Sequence, residues 1–178
     1  MLFLLTGPIN SGKSSAVAQI AQRLREEKLA IGGIVSMPIL KSGIKIGFDA
    51  LCLLTRKTKL LARLKTLVPN PTLADLAIGQ WIIFDDGLKF CNQQIEEAIQ
   101  KNPQIIFIDE IGPIELQGKG FRRVLDKLLL GEEKLPFHLL LVVRISLVEE
   151  VRRLYPNREF TIFNLQKNLA DVILQKIR

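Results

Sequence analysis

Eight residues near the start of the chain, Gly7-Pro8-Ile9-Asn10-Ser11-Gly12-Lys13-Ser14, restrict its fold more than any other stretch. They fit the pattern G-x-x-x-x-G-K-[ST], a glycine-rich turn whose successive backbone N–H groups converge on a phosphate. Gly7 and Gly12 give the turn its freedom. Lys13 sets a charge against β- and γ-phosphates, and the Ser14 hydroxyl is placed to ligate Mg²⁺. The flanks agree with this reading. Leu2-Phe3-Leu4-Leu5 is a short apolar run of the kind that forms a buried parallel strand. After Ser15, Val17, Ile20, Ala21 and Leu24 recur at helical spacing. The helix should start near Lys13, with the positive end of its dipole facing the anion. Gly7 through Ser15 are therefore the candidate nucleotide-binding residues.

A second chemical centre lies a hundred residues on. Ile105-Ile106-Phe107-Ile108 is an apolar strand that ends in Asp109-Glu110. An acid at the end of such a strand can hold Mg²⁺ beside the glycine loop, and this role falls to Asp109. Glu110 follows at once and is the candidate to orient or deprotonate a water attacking the γ-phosphate. Lys13 and Glu110 are thus the candidate catalytic pair. Glu115 reads either as a partner of the metal or of Lys13 from one shell further out, or as a surface acid. Arg144 follows the apolar strand from His138 to Val143 and reads either as a sensor of the γ-phosphate or as half of a surface ion pair.

Strand, glycine loop, helix and acid-tipped strand together predict an α/β fold. It is a three-layer sandwich of the P-loop NTPase type, with a mostly parallel central sheet and helices on both faces. With no repeat, linker or low-complexity tract, residues 1–178 are expected to form one domain. Hydrophobic residues make up 48% of the chain, as several buried parallel strands require. No apolar run approaches the ~18 residues of a membrane span, so no membrane partner is expected. Cys52 and Cys91 lack any metal-ligand spacing and read as reduced thiols of a cytoplasmic protein.

Elsewhere the chain reads as follows. Leu29 to Met37 is a strand closed by Pro38. Ile44 to Leu53 is extended and pairs with Leu60–Ala62 as a hairpin-like excursion. Thr72 to Leu76 stays ambiguous. Trp81 to Phe84 is a short strand, with Trp81 in the core or stacked on a base. Asp85 or Asp86 caps a helix running to about Lys101. Further helices cover Phe121–Leu130, Ser146–Tyr155 and Leu165–Ile177, with a strand over Glu159–Phe163. His138 reads as structural. The net charge of +7 suits a polyanionic ligand. The basic stretch Arg56, Lys57, Lys59, Arg63 and Lys65 reads first as a solvated face; nucleic acid is possible but not favoured, since no aromatic residues interleave it.

Three stretches carry a family resemblance. Gly7 to Ser15 (GPINSGKSS), Ile108 to Leu116 (IDEIGPIEL) and, more weakly, Ile44 to Leu54 with Leu60 to Arg63 recur in order and spacing. Gly79-Gln80-Trp81 is similar to a Gly-Lys-Tyr at the same relative place. The chain thus resembles the small P-loop nucleoside-triphosphatases that include the cancer-related human enzyme and its archaeal and bacterial relatives. The resemblance implies Mg²⁺-dependent hydrolysis of ATP, GTP and other NTPs to the diphosphate and phosphate. It carries the family's site onto Gly7, Gly12, Lys13, Ser14, Asp109, Glu110 and Glu115. The chain departs from the family at Ser36–Leu40, where a polar Thr-x-Glu-x-Arg-like stretch is usual. Two other readings stay open from the residues. One is a P-loop phosphotransferase with an acceptor pocket over the Gly43–Arg63 excursion. The other is a nucleotide-controlled module that binds nucleic acid or protein.

Overall fold

The computed structural model describes residues 1–131 and 133–178. In chain order the elements are β1 (Leu2–Gly7), α1 (Lys13–Glu26), β2 (Ile31–Lys41), β3 (Ile44–Cys52), β4 (Thr58–Leu64), β5 (Leu76–Ile78) and β6 (Trp81–Ile83). Then come α2 (Asp85–Gln100), β7 (Ile105–Ile111), α3 (Pro113–Leu116), α4 (Arg122–Leu129), β8 (His138–Arg144), α5 (Val148–Leu154), β9 (Phe160–Asn164) and α6 (Leu169–Ile177).

The strands form one sheet in the order β5-β6-β4-β3-β2-β7-β8-β1-β9. From β2 to β9 the ladders are parallel; from β2 to β5 they are antiparallel. The sheet is therefore mixed, with a parallel half and an antiparallel half of equal ladder number, rather than mostly parallel. The excursion after β2 is what extends it: β3, β4 and β6 follow short turns, β5 follows the longer connection over residues 65–75, and all four pair antiparallel.

Alternation along the parallel strands builds two cores, one per face. Leu4, Ile106, Ile108, Leu139 and Leu141 pack against α2, α4 and α5. Phe3, Leu5, Ile105, Phe107 and Leu140 pack against α1 and α6 on the other face. This is the expected three-layer sandwich. Among the described residues no helix is long and apolar enough to cross a membrane. Close approach of β2 to β7 requires Gly33, whose φ is +97° and where a Cβ would overlap the Phe107 carbonyl.

Several boundaries differ from the sequence reading. β2 does not stop at Pro38 but runs through it to Lys41. Beyond Ile34 it is laddered only to β3. The Ser36 N–H points away from β3, toward Asp109. The nitrogen of Pro38, two residues on, faces the same open side, so its missing proton breaks no ladder bond. Asp85 is the first residue of α2 rather than its cap; Phe84 holds the N-cap position. Asp85 and Asp86 instead sit in the first turn, where the helix dipole favours acids. The ambiguous segment yields β5 at its end. The helix expected from Ser146 opens as a 3₁₀ turn over Ile145–Leu147, and the last helix begins only at Leu169, after Asn168 in a left-handed conformation.

Candidate active site

The glycine loop joins β1 to α1 as expected. Gly12 is the N-cap of α1 with φ 90°, and Lys13 opens the helix. Asn10 is also left-handed, at φ 59°. These turns carry the chain around so that the Lys13 ammonium lies back over the loop, donating to the carbonyls of Gly7 (3.1 Å) and Pro8 (2.7 Å). Burial lowers the Lys13 pKa, while the Glu110 and Asp109 charges oppose that. Both sequence-predicted acids thus lie within electrostatic reach of the loop lysine.

They reach it from two strands away, because β8 lies between β1 and β7. Asp109 is fully buried. One carboxylate oxygen accepts the Ser36 N–H at 3.0 Å and the other accepts the Glu110 N–H at 2.9 Å. Burial, then the neighbouring Glu110 charge, push Asp109 up to about 7; these N–H groups and the Ser14 hydroxyl pull the other way. The β7–β8 register breaks between Ile108 and Ile111. Ile108 faces Leu141 and Ile111 faces Val143, so β7 spends an extra residue here as a bulge. Glu110 takes the strain, with φ +68°. A left-handed glutamate at a bulge is costly unless the surroundings impose it, and such strain concentrates at working sites. It re-aims Glu110 into the cavity that the glycine loop lines.

Arg144 ends β8 directly beside Gly7 of β1 in the parallel ladder. It lines the same cavity, and its charge is among those that lower the Lys13 pKa. The surface ion-pair reading has no partner among the described residues. Glu115 is not the surface acid that one reading expected. It is buried, and its oxygens accept the N–H groups of Gly112 (2.8 Å) and Phe121 (3.0 Å). It caps α3 and ties the Gly112 turn to the start of α4; no hydrogen bond joins it to Lys13. Burial pushes it up to about 7 against those N–H contacts. Gly120 makes room for it: a Cβ there would overlap the Glu115 carboxylate, and φ is +61°.

The cavity measures about 420 Å³. Its far wall comes from the antiparallel half of the sheet and includes residues that are not among the candidate site residues: Ser36, Pro38, Lys45, Phe48 and Gln80. Lys45 Nζ donates to Asn10 Oδ1 at 2.7 Å and lies 4.8 Å from the Phe48 ring centroid. Trp81 is at this wall rather than in the core, half-buried, its ring 5.1 Å from Phe48 and tilted by 60°. A smaller recess of about 100 Å³ adjoins the cavity and shares Ser36, Phe48, Trp81, Glu110 and Arg144 with it.

The remaining candidates lie elsewhere. Arg56, Lys57, Lys59, Arg63 and Lys65 do not line this cavity. His138 is at the opposite end of β8, stacked on Phe3 at 6.0 Å. Cys52 and Cys91 are free and buried, and burial raises the Cys91 thiol to about 12.

The donor set available to a cation is the Asp109 carboxylate, the Ser14 hydroxyl and whatever phosphate oxygens the loop holds. No cluster of three or more acidic, histidine or cysteine ligands exists among the described residues. That set fits Mg²⁺, which takes few protein ligands and keeps phosphate oxygens and waters.

Comparison with known proteins places this geometry. Residues 2–178 match the NTPase family. The nucleoside-triphosphatase THEP1 of Archaeoglobus fulgidus is 24% identical over 177 residues, covering 99% of this chain and 96% of the relative. That of Pyrococcus abyssi is 27% identical over 176 residues, 98% and 92% respectively. Among solved structures, the human cancer-related nucleoside triphosphatase superposes with a TM-score of 0.69 at 21% identity, covering 98% of this chain and 94% of the other. THEP1 of Aquifex aeolicus gives 0.68 at 21% identity, covering 100% and 97%. Matched to the family along nearly its whole length, the chain belongs to the NTPases and is a nucleoside-triphosphate hydrolase.

Proposed function

We propose that this hydrolase acts on ATP, GTP and other NTPs in the presence of Mg²⁺, releasing the diphosphate and inorganic phosphate. One observation carries the reading: Lys13, Glu110 and Arg144 line a single cavity with the glycine loop, with the buried Asp109 directly behind. The loop amides and Lys13 would hold the β- and γ-phosphates. Ser14 and Asp109 would hold Mg²⁺, which when bound neutralises phosphate charge. Glu110 would position a water and take its proton as the water oxygen attacks the γ-phosphorus. Arg144, opposite Gly7, would stabilise charge gathering on the γ-phosphoryl oxygens.

The test is phosphate release from ATP, GTP, CTP and UTP with and without Mg²⁺, for wild type, Lys13→Ala and Glu110→Gln, with nucleotide binding measured for each. Mg²⁺-dependent turnover lost in both variants, with binding kept in Glu110→Gln, is the expected result. Tight binding without turnover in wild type would overturn the reading.

A further inference from the structure

The recess beside the cavity is not needed to hydrolyse anything. A water molecule held by Glu110 gains nothing from an apolar chamber next to that carboxylate. Yet the chamber is built with care, chiefly from the antiparallel half of the sheet. Phe48 faces Ala62 across the β3–β4 ladder, and Ala62 faces Ile83 across β4–β6, so these three side chains share one face. Trp81, Leu61 and Ile114 complete much of the enclosure. None of the glycine-loop residues lines it. Among the described residues its only ionisable side chains, Glu110 and Arg144, are shared with the phosphate cavity.

A second observation points to an occupant. Ser36 lies on the wall common to both chambers. Its hydroxyl is buried and has no hydrogen-bond partner among the described residues. Buried hydroxyls are normally paired, so the unpaired Ser36 hydroxyl is left free to bond a polar group that enters between the two chambers.

We propose that the recess is an acceptor site, which takes an uncharged alcohol carried on a single planar ring and passes it the γ-phosphoryl group. The inference rests on the hydrolase reading, since it uses the same donor and the same carboxylate. The chemistry of the walls selects the class. Phe48 and Trp81 offer aromatic surface, favouring a flat ring. No charged group belongs to the recess alone, which disfavours a charged body. Its volume, about 100 Å³, is below the range of ordinary ligand pockets and leaves room for one ring rather than a fused pair.

In the transfer, the acceptor oxygen attacks the γ-phosphorus and an O–P bond forms. The bond from the γ-phosphorus to the bridging oxygen breaks, and the nucleoside diphosphate leaves with its electron pair. The acceptor proton passes to the Glu110 carboxylate. No reactant beyond the NTP and the alcohol enters. Water at the same position would give hydrolysis, so the two reactions would compete.

The experiment uses the full chain with Mg²⁺ and ATP labelled at the γ-phosphate. Benzyl alcohol, 3-pyridinemethanol and uridine are each added at millimolar concentration, and labelled ester is separated from labelled inorganic phosphate. The expected result is a labelled phosphoester with a matching fall in inorganic phosphate. Ala62→Leu, which fills the recess, should cut ester formation by about tenfold or more, the scale on which pockets discriminate extra methylenes, and leave phosphate release close to wild type. Ile78→Ala, which widens the recess, should shift the KM for the alcohols and leave the KM for ATP unchanged, so the proposal stays testable if Ala62→Leu does not fold. Inorganic phosphate alone, at a rate these alcohols do not change in wild type or Ile78→Ala, would overturn the acceptor site. The alcohol-free control reads the hydrolase separately. Phosphate release without ester overturns only the acceptor site, ester without release to water overturns only hydrolysis, and loss of both overturns both.

Discussion

Lys45 and Asn10, separated by 35 residues in sequence, meet at 2.7 Å across the mouth of the cavity. The contact leans the β2–β3 hairpin over the glycine loop. It also brings a cation to the phosphate side of the cavity from β3, a strand with no phosphate-binding motif. Replacing Lys45 with alanine should therefore weaken nucleotide binding more than chemistry. A bond of this kind at a partly exposed site is worth about 1 kcal/mol, so KM should rise roughly fivefold with kcat little changed. Steady-state kinetics on Lys45→Ala check this; a fall in kcat at constant KM would place Lys45 in the transition state instead.

The backbone at Glu110 separates stability from activity. Glu110→Gly removes the carboxylate and also relieves the left-handed strain at φ +68°. Relief is worth about 1 kcal/mol, or roughly 2–4 °C in Tm for a chain of this size. The variant should melt higher than wild type while losing ~10²–10⁴ in kcat, the span expected for a missing general base. Thermal melts paired with phosphate release measure both at once.

Arg144 is held at the end of β8 by the ladder with β1, so its removal should leave the fold intact. Arg144→Ala should lower kcat by ~10²-fold, the scale of one preorganised charge-stabilising donor, with a smaller effect on nucleotide affinity. Single-turnover phosphate release distinguishes this from slow product release.

Glu115 gives a pH signature with a definite sign. Its folded pKa is raised from 4.5 to about 7. The neutral folded form is therefore favoured, and the stability this gives is full below about pH 4.5 and lost as pH rises toward 7. The loss through this group amounts to about 3 kcal/mol. Asp109, also raised to about 7, contributes in the same direction. In Mg²⁺-free buffer the urea midpoint should therefore fall between pH 5 and pH 8. Glu115→Gln should lower the midpoint at pH 5, since its amide turns a donor toward one of two N–H groups, but not at pH 8, where it avoids the cost of the buried charge. The drop between the two pH values should shrink to roughly half.

The sequence discloses one wall of the site and conceals the other. The glycine loop and the Asp109-Glu110 pair are contiguous stretches whose residue types answer directly to phosphate and cation chemistry, so they can be read in place. Arg144 is legible as the end of an apolar strand, though only the strand order puts it beside Gly7. Lys45, Phe48 and Gln80 lie in stretches that carry the family resemblance, but they reach the cavity through the register of antiparallel ladders, and nothing local assigns them a role. Trp81 misleads for a related reason. A lone tryptophan in a short apolar strand suggests the core, but the strand lies near the sheet's edge and its ring borders the cavity. Pro38 looks like a terminator because proline lacks a donor, and that logic holds only where both sides of a strand are paired. Glu115 is concealed because its partners are backbone groups of Gly112 and Phe121, which leave no compositional trace.

Where β2 outruns β7, the Ser36 N–H has no neighbouring strand to bond, and the Asp109 carboxylate takes the place of the missing rung. The acid assigned to the cation is thus also a rivet joining the two halves of the sheet. Deleting it would slacken the seam along which the reaction chamber opens, and an inactive Asp109 variant would report a parted scaffold as readily as a lost ligand. Any account of this enzyme built on that one substitution would confuse architecture with chemistry.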